Sequence, residues 1–445
     1  MGRAICSRAE PIGLTKPPNI LYLHSHDTGR YVQPYGQGVL TPNIQLLADQ
    51  GLLFREAFSA ASSCSPSRAS FVTGQYPHSN GMLGLAHRGF RLFDYGHHIV
   101  HTLRKGGYHS EMIGEQHISE DPNILGYDRV HQIARTNVAT AAPVAVEFLR
   151  NNPPEPFFLS VGFFETHRSY SDPSSVRDTL YSQPPQNLPD TQETRYDMAA
   201  FKASARSLDH GVGAVLMGLV AGGLSDNTLI VFTTDHGLAF PGAKATLTDR
   251  GIGVNLIVRG PEGFTGGKVV DTLVSQIDLY PTFCELAGVD IPAFAQGTSL
   301  MPLVRGERPT VRDEVFAELT YHAAYEPQRA IRTDRFKYIR YYLDGPPVLA
   351  NVDDSMTKDL MVQLGWADRP VAQEQLYDLP LDPNEMRNVV GEARYEAVRQ
   401  ELSDKLDAWM RDTNDPLLDG PVPAPAGTRV NTREQRSAEE DPITM

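Results

Sequence analysis

Four side chains with metal-ligand chemistry follow directly on two apolar runs. His26 and Asp27 come after Asn19-Ile20-Leu21-Tyr22-Leu23, and Asp235 and His236 after Thr228-Leu229-Ile230-Val231-Phe232-Thr233. One aspartate in a loop is ordinarily a turn former or helix cap, but two acid–imidazole pairs, each at the end of a strand-like run, point to a bound cation. Two carboxylates and two imidazoles are softer than an all-oxygen calcium cage and suit Mn²⁺ or Zn²⁺ as well. Cys64 stands in Ser63-Cys64-Ser65-Pro66-Ser67-Arg68-Ala69-Ser70. A helix starting just after Cys64 would aim free N–H groups at an anion, with Arg68 one turn on; the same cysteine could be a small buried thiol opening a helix. His117 and His167 also follow apolar runs, and Lys244 lies in the loop after Asp235-His236. A single histidine is commonly a surface or capping group, but several at strand ends beside a lysine form a candidate site.

The elements that must position these groups are short buried strands alternating with helices. Asn19 to Leu23, Tyr108 to Ile113, Pro156 to Phe164, Thr228 to Thr233 and Val254 to Val258 read as strands. Helices are expected after Thr41, from His98 to Lys105, over Val138 to Arg150, from Met198 to Ala221 and from Asp278 to Ala287. This grammar predicts an α/β fold with a mostly parallel, doubly wound sheet, whose ligands sit at the carboxyl ends of the strands. Residues 169–192 read as a polar loop over the site. After Gly306 the pattern changes: Phe336 to Tyr341 alternates like an antiparallel strand, Gln375 to Leu379 resembles another, and a helix is expected from Ala393 to Met410. The expected division is a large catalytic domain over 1–305, a smaller α+β domain over 306–415, and an extended or partly disordered arm over 416–445.

The 445 residues are 41% hydrophobic and 21% charged, the balance of an ordinary globular protein. The net charge of −14 argues against a nucleic-acid partner, so an anionic substrate must be drawn by a local cationic pocket. Cys6, Cys64 and Cys284 are too few and too dispersed for a disulfide framework. Residues 1–8 carry no apolar leader and no run of eighteen apolar residues follows, so a cytoplasmic protein without a membrane partner is expected.

The cysteine string, extended through Thr73-Gly74 and Pro77-His78, resembles the signature of the type I sulfatases of the alkaline phosphatase superfamily. In that family the cysteine is oxidised after translation to formylglycine by a formylglycine-generating enzyme, which would be a partner of this chain. The hydrated aldehyde offers two geminal hydroxyls: one attacks sulfur and displaces the leaving group, and the other loses its proton and expels sulfate by re-forming the aldehyde. The resemblance implies an alkaline phosphatase-like fold and one divalent cation, usually Ca²⁺, held by His26, Asp27, Asp235 and His236. Here His26 replaces a family aspartate and His236 an asparagine, which puts Ca²⁺ in question. By the same resemblance Cys64, Arg68, His117, His167 and Lys244 are catalytic. Lys244 would act at the leaving-group oxygen, His117 would take the proton when sulfate leaves, and His167 would contact the sulfate. Glu115 stands where the family has a sulfate-binding lysine, and a carboxylate there would repel the anion. It would turn outward, pair with an imidazole such as His26, or serve as an extra metal ligand.

Within the sulfatases the chain resembles the sulfamidases, in Asn80-Gly81-Met82, Pro156-Phe157-Phe158-Leu159, His167-Arg168, Asp209-His210-Gly211-Val212-Gly213 and Asp415-Pro416-Leu417. His87, Arg88, Arg168, His322 and Glu115 are the candidate substrate-pocket residues. The expected function is hydrolysis of sulfate esters or N-sulfated sugars. Two alternatives stand beside it: a phosphonate or phosphate ester hydrolase on the same fold, and an inactive homologue that binds sulfated glycans. The arm could also build a homo-oligomer.

Overall fold

The structure is a computed structural model that describes residues 16–445; Cys6 and residues 1–8, on which the expectation of no leader rests, lie outside the described residues. Its largest sheet has eight strands: β1 (Asn19–Ser25), β2 (Leu52–Phe54), β3 (His109–Gly114), β4 (Arg129–His131), β5 (Phe157–Gly162), β6 (Thr228–Thr234), β7 (Leu256–Arg259) and β8 (Lys268–Val270). Their order is β4-β3-β5-β1-β6-β7-β2-β8. The four central strands β3, β5, β1 and β6 run parallel, in a register that sets Leu21 opposite Leu159 on one side and Ile230 on the other. β7 is antiparallel to both its neighbours; its apolar run predicts a strand but carries no information on direction.

Alternate residues of each central strand enter different cores, as the two-residue period of a strand requires. Ile20 and Tyr22 of β1, with Leu229 and Val231 of β6, face one core; Leu21, Leu23, Ile230 and Phe232 face the other. The second core is covered by α1 (Pro42–Gln50), by the helix Val138–Arg150 and by the long helix Gln192–Ala221. The long helix starts earlier than its apolar spacing suggests. Its first turn is polar and is set by Thr191, which caps it in a reciprocal pair with Thr194. The first core is covered by α2 (Cys64–Thr73) and the helix Leu279–Ala287.

A four-stranded antiparallel sheet follows, with strands Glu314–Tyr321, Tyr325–Thr333, Phe336–Tyr341 and Glu374–Asp378 in sequential order. Its Ile331, Tyr338 and Leu376, with Trp409 of the helix Glu396–Asp412, join the same core as Ile20 and Phe158. The smaller sheet is thus continuous with the larger module through apolar packing.

Two expectations are corrected. Residues 169–192 are not all loop, because Ser175 caps a short helix, Val176–Leu180. The arm is ordered: Arg429–Val430 pairs with Ile443–Thr444, Asn431 N–H donates to Ala323 O (2.9 Å), and Arg88 donates to Asn431 Oδ1 (2.7 Å) and Ala438 O (2.8 Å). Its polar, proline-bearing composition hides this, because few apolar residues, Leu417, Val422 and Val430, reach the core, and hydrogen bonds to loops hold the rest.

Candidate active site

Because β3, β5, β1 and β6 are parallel and adjacent, the segments after them share one edge of the sheet. That geometry alone brings together Glu115 to His117, Glu165 to Arg168, His26 to Asp27 and Asp235 to His236. Cys64 opens α2 above this edge, with Ser63 as an extended N-cap. The helix stops at Gly74, whose φ of +65° suits glycine, and a Cβ there would lie 2.9 Å from the Tyr280 side chain. Arg68, one turn after Cys64, ties α2 to the strand ends. Its Nη2 donates to Ser25 O (2.8 Å) and lies 3.1 Å from Asp235 Oδ2, while its Nη1 donates to His24 Nδ1 (2.7 Å). A guanidinium only donates, so His24 carries its proton on Nε2, 3.2 Å from Ser160 Oγ. Burial, with Arg68 alongside, holds the His24 pKa well below the histidine range.

The floor of the site is almost sealed: Asp27, His26, His236, Cys64 and Asp235 are 0 to 3% exposed. His26 Nδ1 lies 2.9 Å from Asp27 Oδ1 and 3.1 Å from Asp235 Oδ2. His236 Nδ1–H donates to Gly237 O (3.0 Å), which leaves the Nε2 lone pair facing Asp27 Oδ1 at 3.2 Å and Cys64 Sγ at 3.3 Å. Gly237 makes that turn possible, since a Cβ there would meet Arg250 O at 1.7 Å. Asp235 Oδ1 accepts from the N–H groups of Asp27 (2.8 Å) and His236 (2.9 Å). Its Oδ2 is buried and receives no well-directed hydrogen bond, although His26 Nδ1 and Arg68 Nη2 both approach to 3.1 Å. Asp27 and His117 hold left-handed backbone, φ +53° and +55°, a conformation uncommon for residues other than glycine.

These donors fit a divalent cation. Bonds of about 2.1 to 2.5 Å set neighbouring ligand atoms about 3.0 to 3.5 Å apart, close to the separations just given. The orphaned Asp235 Oδ2 and the bare His236 Nε2 are what a cation would satisfy. One donor atom each from His26, Asp27, Cys64 and Asp235 also lies within 4.8 Å of the others. Burial opposes the charge of both carboxylates, but neighbouring cations and imidazoles outweigh it, Lys244 foremost at Asp27, and hold both well below the carboxylate range. Burial pushes the Cys64 thiol well up, so as a thiol it is a poor nucleophile.

Above the floor, Lys244 Nζ donates to Asp27 Oδ2 (2.9 Å) and lies 3.2 Å from Asp353 Oδ2. Burial disfavours its charge, yet Asp27 and Asp353 prevail and raise its pKa well above the lysine range. His167 bonds through Nδ1 to Arg168 O and turns Nε2 to within 4.0 Å of Asp27 Oδ2; burial drives its pKa down to about 4. His117 Nε2 is 2.7 Å from His87 Nδ1, with the two rings stacked, and its buried Nδ1 has no partner. His322 Nδ1 is 2.9 Å from Ser63 Oγ, beside the cysteine.

Three expected residues are not brought into this cluster. Glu115 accepts from Thr136 Oγ1 (2.8 Å), so neither pairing with His26 nor a metal role is realised. Arg88 holds the arm, and Arg168 is clamped by Asp197 (2.6 and 2.7 Å) with its guanidinium over Tyr170. Two site residues escape the sequence reading. His24 stands in the loop string but looks like one more polar neighbour, and Asp353 looks like a helix-capping residue ahead of Ser355, 109 positions from Lys244.

A mostly parallel sheet with a cysteine-headed helix and a His/Asp cluster at its strand ends defines an α/β protein whose candidate site lies on the carboxyl edge of the sheet. The sulfatase family profile matches residues 18–289, and the chain belongs to the sulfatase family. The profile of the C-terminal part of N-sulphoglucosamine sulphohydrolase matches residues 242–348. The chain is 29% identical to human N-sulphoglucosamine sulphohydrolase, over 94% of this chain and 95% of that protein. It is 28% identical to an ulvan-active sulfatase of Formosa agariphila, over 94% and 85%. Among solved structures, a 2-O GAG sulfatase superposes with a TM-score of 0.72 at 22% identity, covering 92% of this chain and 95% of that one. A protein in complex with its substrate D-glucosamine-2-N,6-O-disulfate gives 0.71 at 20% identity, covering 91% and 99%.

Proposed function

We propose that this chain is a formylglycine-dependent sulfohydrolase of sulfated sugars, acting on O- or N-sulfate at position 64. The observation that carries the reading is the placement of Cys64 Sγ, 3.3 Å from His236 Nε2 and 4.0 Å from Asp27 Oδ1, at the head of a fully buried helix. A hydrated formyl group there would supply a nucleophile that regenerates itself, and a divalent cation on His26, Asp27, Asp235 and His236 would neutralise the sulfate oxygens.

The chain's own residues divide the remaining work. Lys244, kept protonated by two carboxylates, is a cation and proton donor on the leaving-group side. His117 is neutral, pushed well below its usual pKa by burial, and its unpartnered Nδ1 can accept a proton near position 64. Arg68 holds Asp235 and the end of β1, while the Gly237 carbonyl fixes the tautomer of His236. Sealing of the floor excludes water, which strengthens each of these interactions.

The test joins a mass to a rate. After co-expression with a formylglycine-generating enzyme, the peptide holding Cys64 should be lighter than its thiol form, and the protein should hydrolyse N-sulfoglucosamine or an O-sulfated sugar with added cation. An unmodified thiol in active enzyme would falsify the aldehyde assignment. The imidazoles among the cation donors favour one rival, a phosphonate or phosphate ester hydrolase. Faster turnover of an aryl phosphonate than of the matching aryl sulfate selects it.

A further inference from the structure

Exposure rises in steps away from Cys64. The floor residues and Lys244 are at most 3% exposed, whereas the side chains of Asp353 and His167 reach 17% and 25%. Asp353 is therefore more exposed than Lys244 and lies on its solvent side, which is where the leaving-group part of a substrate would approach under the sulfatase reading. It is supplied by the smaller module, on the loop between the turn Leu349–Asn351 and α3 (Met356–Gln363). That loop is held on both flanks. Asn351 accepts from Ala324 N–H (2.8 Å) and donates to Glu326 (2.7 Å), and Lys358 donates to Val352 O (2.8 Å), Asp354 Oδ1 (2.6 Å) and Arg436 O (2.6 Å). Ser437 of the arm donates to Asp354. The carboxylate is thus fixed in place before any ligand arrives.

One of its oxygens is left over. Asp353 Oδ2 is buried and receives no well-directed hydrogen bond, although Lys244 Nζ is 3.2 Å away. An enzyme for anionic substrates has set a carboxylate beside its leaving-group lysine, with one oxygen that receives no well-directed hydrogen bond. A second anionic group on the substrate would be repelled there, and a hydroxyl or ammonium would be bound. Resting on the sulfatase reading and refining it, we propose that Asp353 is a specificity-determining residue: it accepts a hydrogen bond from a hydroxyl or amino group next to the scissile sulfate and rejects substrates with a second anion at that position.

The test uses binding, so that it does not depend on turnover. Catechol monosulfate, with a hydroxyl beside the sulfate, and salicylate sulfate, with a carboxylate there, are titrated calorimetrically into the Cys64→Ala protein with Ca²⁺ or Mn²⁺ present. The hydroxyl ligand should bind about tenfold more tightly. Adding Asp353→Asn should bring the two affinities within about threefold, chiefly by a gain for the carboxylate ligand. An unchanged preference overturns the proposal. Equal weakening of both ligands also overturns it, because that marks a mere counter-ion of Lys244, and so does failure of both ligands to bind. The sulfatase reading fails separately, if aldehyde-bearing enzyme hydrolyses neither these ligands nor N-sulfoglucosamine or an O-sulfated sugar while the preference and its loss persist.

Discussion

Two buried clusters in this molecule are built from the same residue types and do different things. Around Asp27 and Asp235, two carboxylates meet two imidazoles and Arg68. Around Glu318 and Asp415, two carboxylates meet His78 and Arg329, all 5% exposed or less. His26, Asp27 and Asp235 with Cys64 in the first, and His78, Glu318 and Asp415 in the second, satisfy the proximity expected of metal ligands. In the second, the carboxylates are used up: Glu318 accepts from His78 N–H (2.6 Å) and from His78 Nδ1, and Asp415 is gripped by Nε and Nη2 of Arg329 (2.5 and 3.0 Å). Its unpartnered atoms, His78 Nε2 and Trp409 Nε1, are ring nitrogens rather than carboxylate oxygens. In the first cluster the leftover is an acceptor, Asp235 Oδ2, next to the lone pair of His236 Nε2, which has only Cys64 Sγ as a possible donor. Unspent acceptors at the foot of an opening make a site for a cation; a closed pairing makes a staple between the module that carries α2 and the smaller sheet.

The contrast can be broken in order of expected effect. Cys64→Ala should lower turnover on the order of 10⁴-fold while leaving the thermal midpoint nearly unchanged, measured by sugar-sulfate hydrolysis and calorimetry. A modest loss would remove position 64 from the chemistry. Glu318→Ala should do the reverse, destabilising the fold by about 3 to 5 kcal/mol in denaturant titrations because Arg329 and His78 lose a buried partner, with kcat of the folded fraction within about twofold of wild type. Loss of turnover at full stability would make the second cluster functional and dissolve the distinction.

A pH experiment sharpens it. Burial raises the Glu326 carboxyl to about 7, against hydrogen bonds from Asn351 and Tyr341. Its unfolded pKa lies near the ordinary glutamate value, so between those two pH values the folded state binds the extra proton. This contribution is complete below about pH 4.5 and falls as pH rises toward 7, by about 3 kcal/mol at most. Glu326→Gln should flatten that slope in chemical unfolding measured from pH 5 to 8. Smallest of all, Glu115→Gln should leave kcat/KM within about threefold, since its carboxylate is spent on Thr136; a large loss would return Glu115 to the site.

Asn19 to Leu23 and Thr228 to Thr233 were legible as strands because short apolar runs closed by polar loops and alternating with helices suit strands buried on both faces of a parallel sheet. Once they are strands, His26, Asp27, Asp235 and His236 are strand-end residues, and chain order alone brings them to one edge. The cysteine string was legible through its resemblance and through Arg68, one helical turn after Cys64. The direction of β7 was not legible, because hydrophobic alternation is the same either way along a strand. The ordering of the arm was hidden as well, because side chains such as Arg88 and Lys358 that bind its carbonyls look like surface charge.

What the sequence determined by itself is therefore the sheet, its functional edge and the chemical kinds gathered there, since these follow from local pattern and chain direction. Only the tertiary structure decided which candidates remain free to act. It turned Glu115 to Thr136 and Arg168 to Asp197, closed the His78 cluster on itself, and brought Asp353 across from the other module to Lys244. Whether a polar group is spent or available depends on partners far along the chain, and no local pattern encodes those distances.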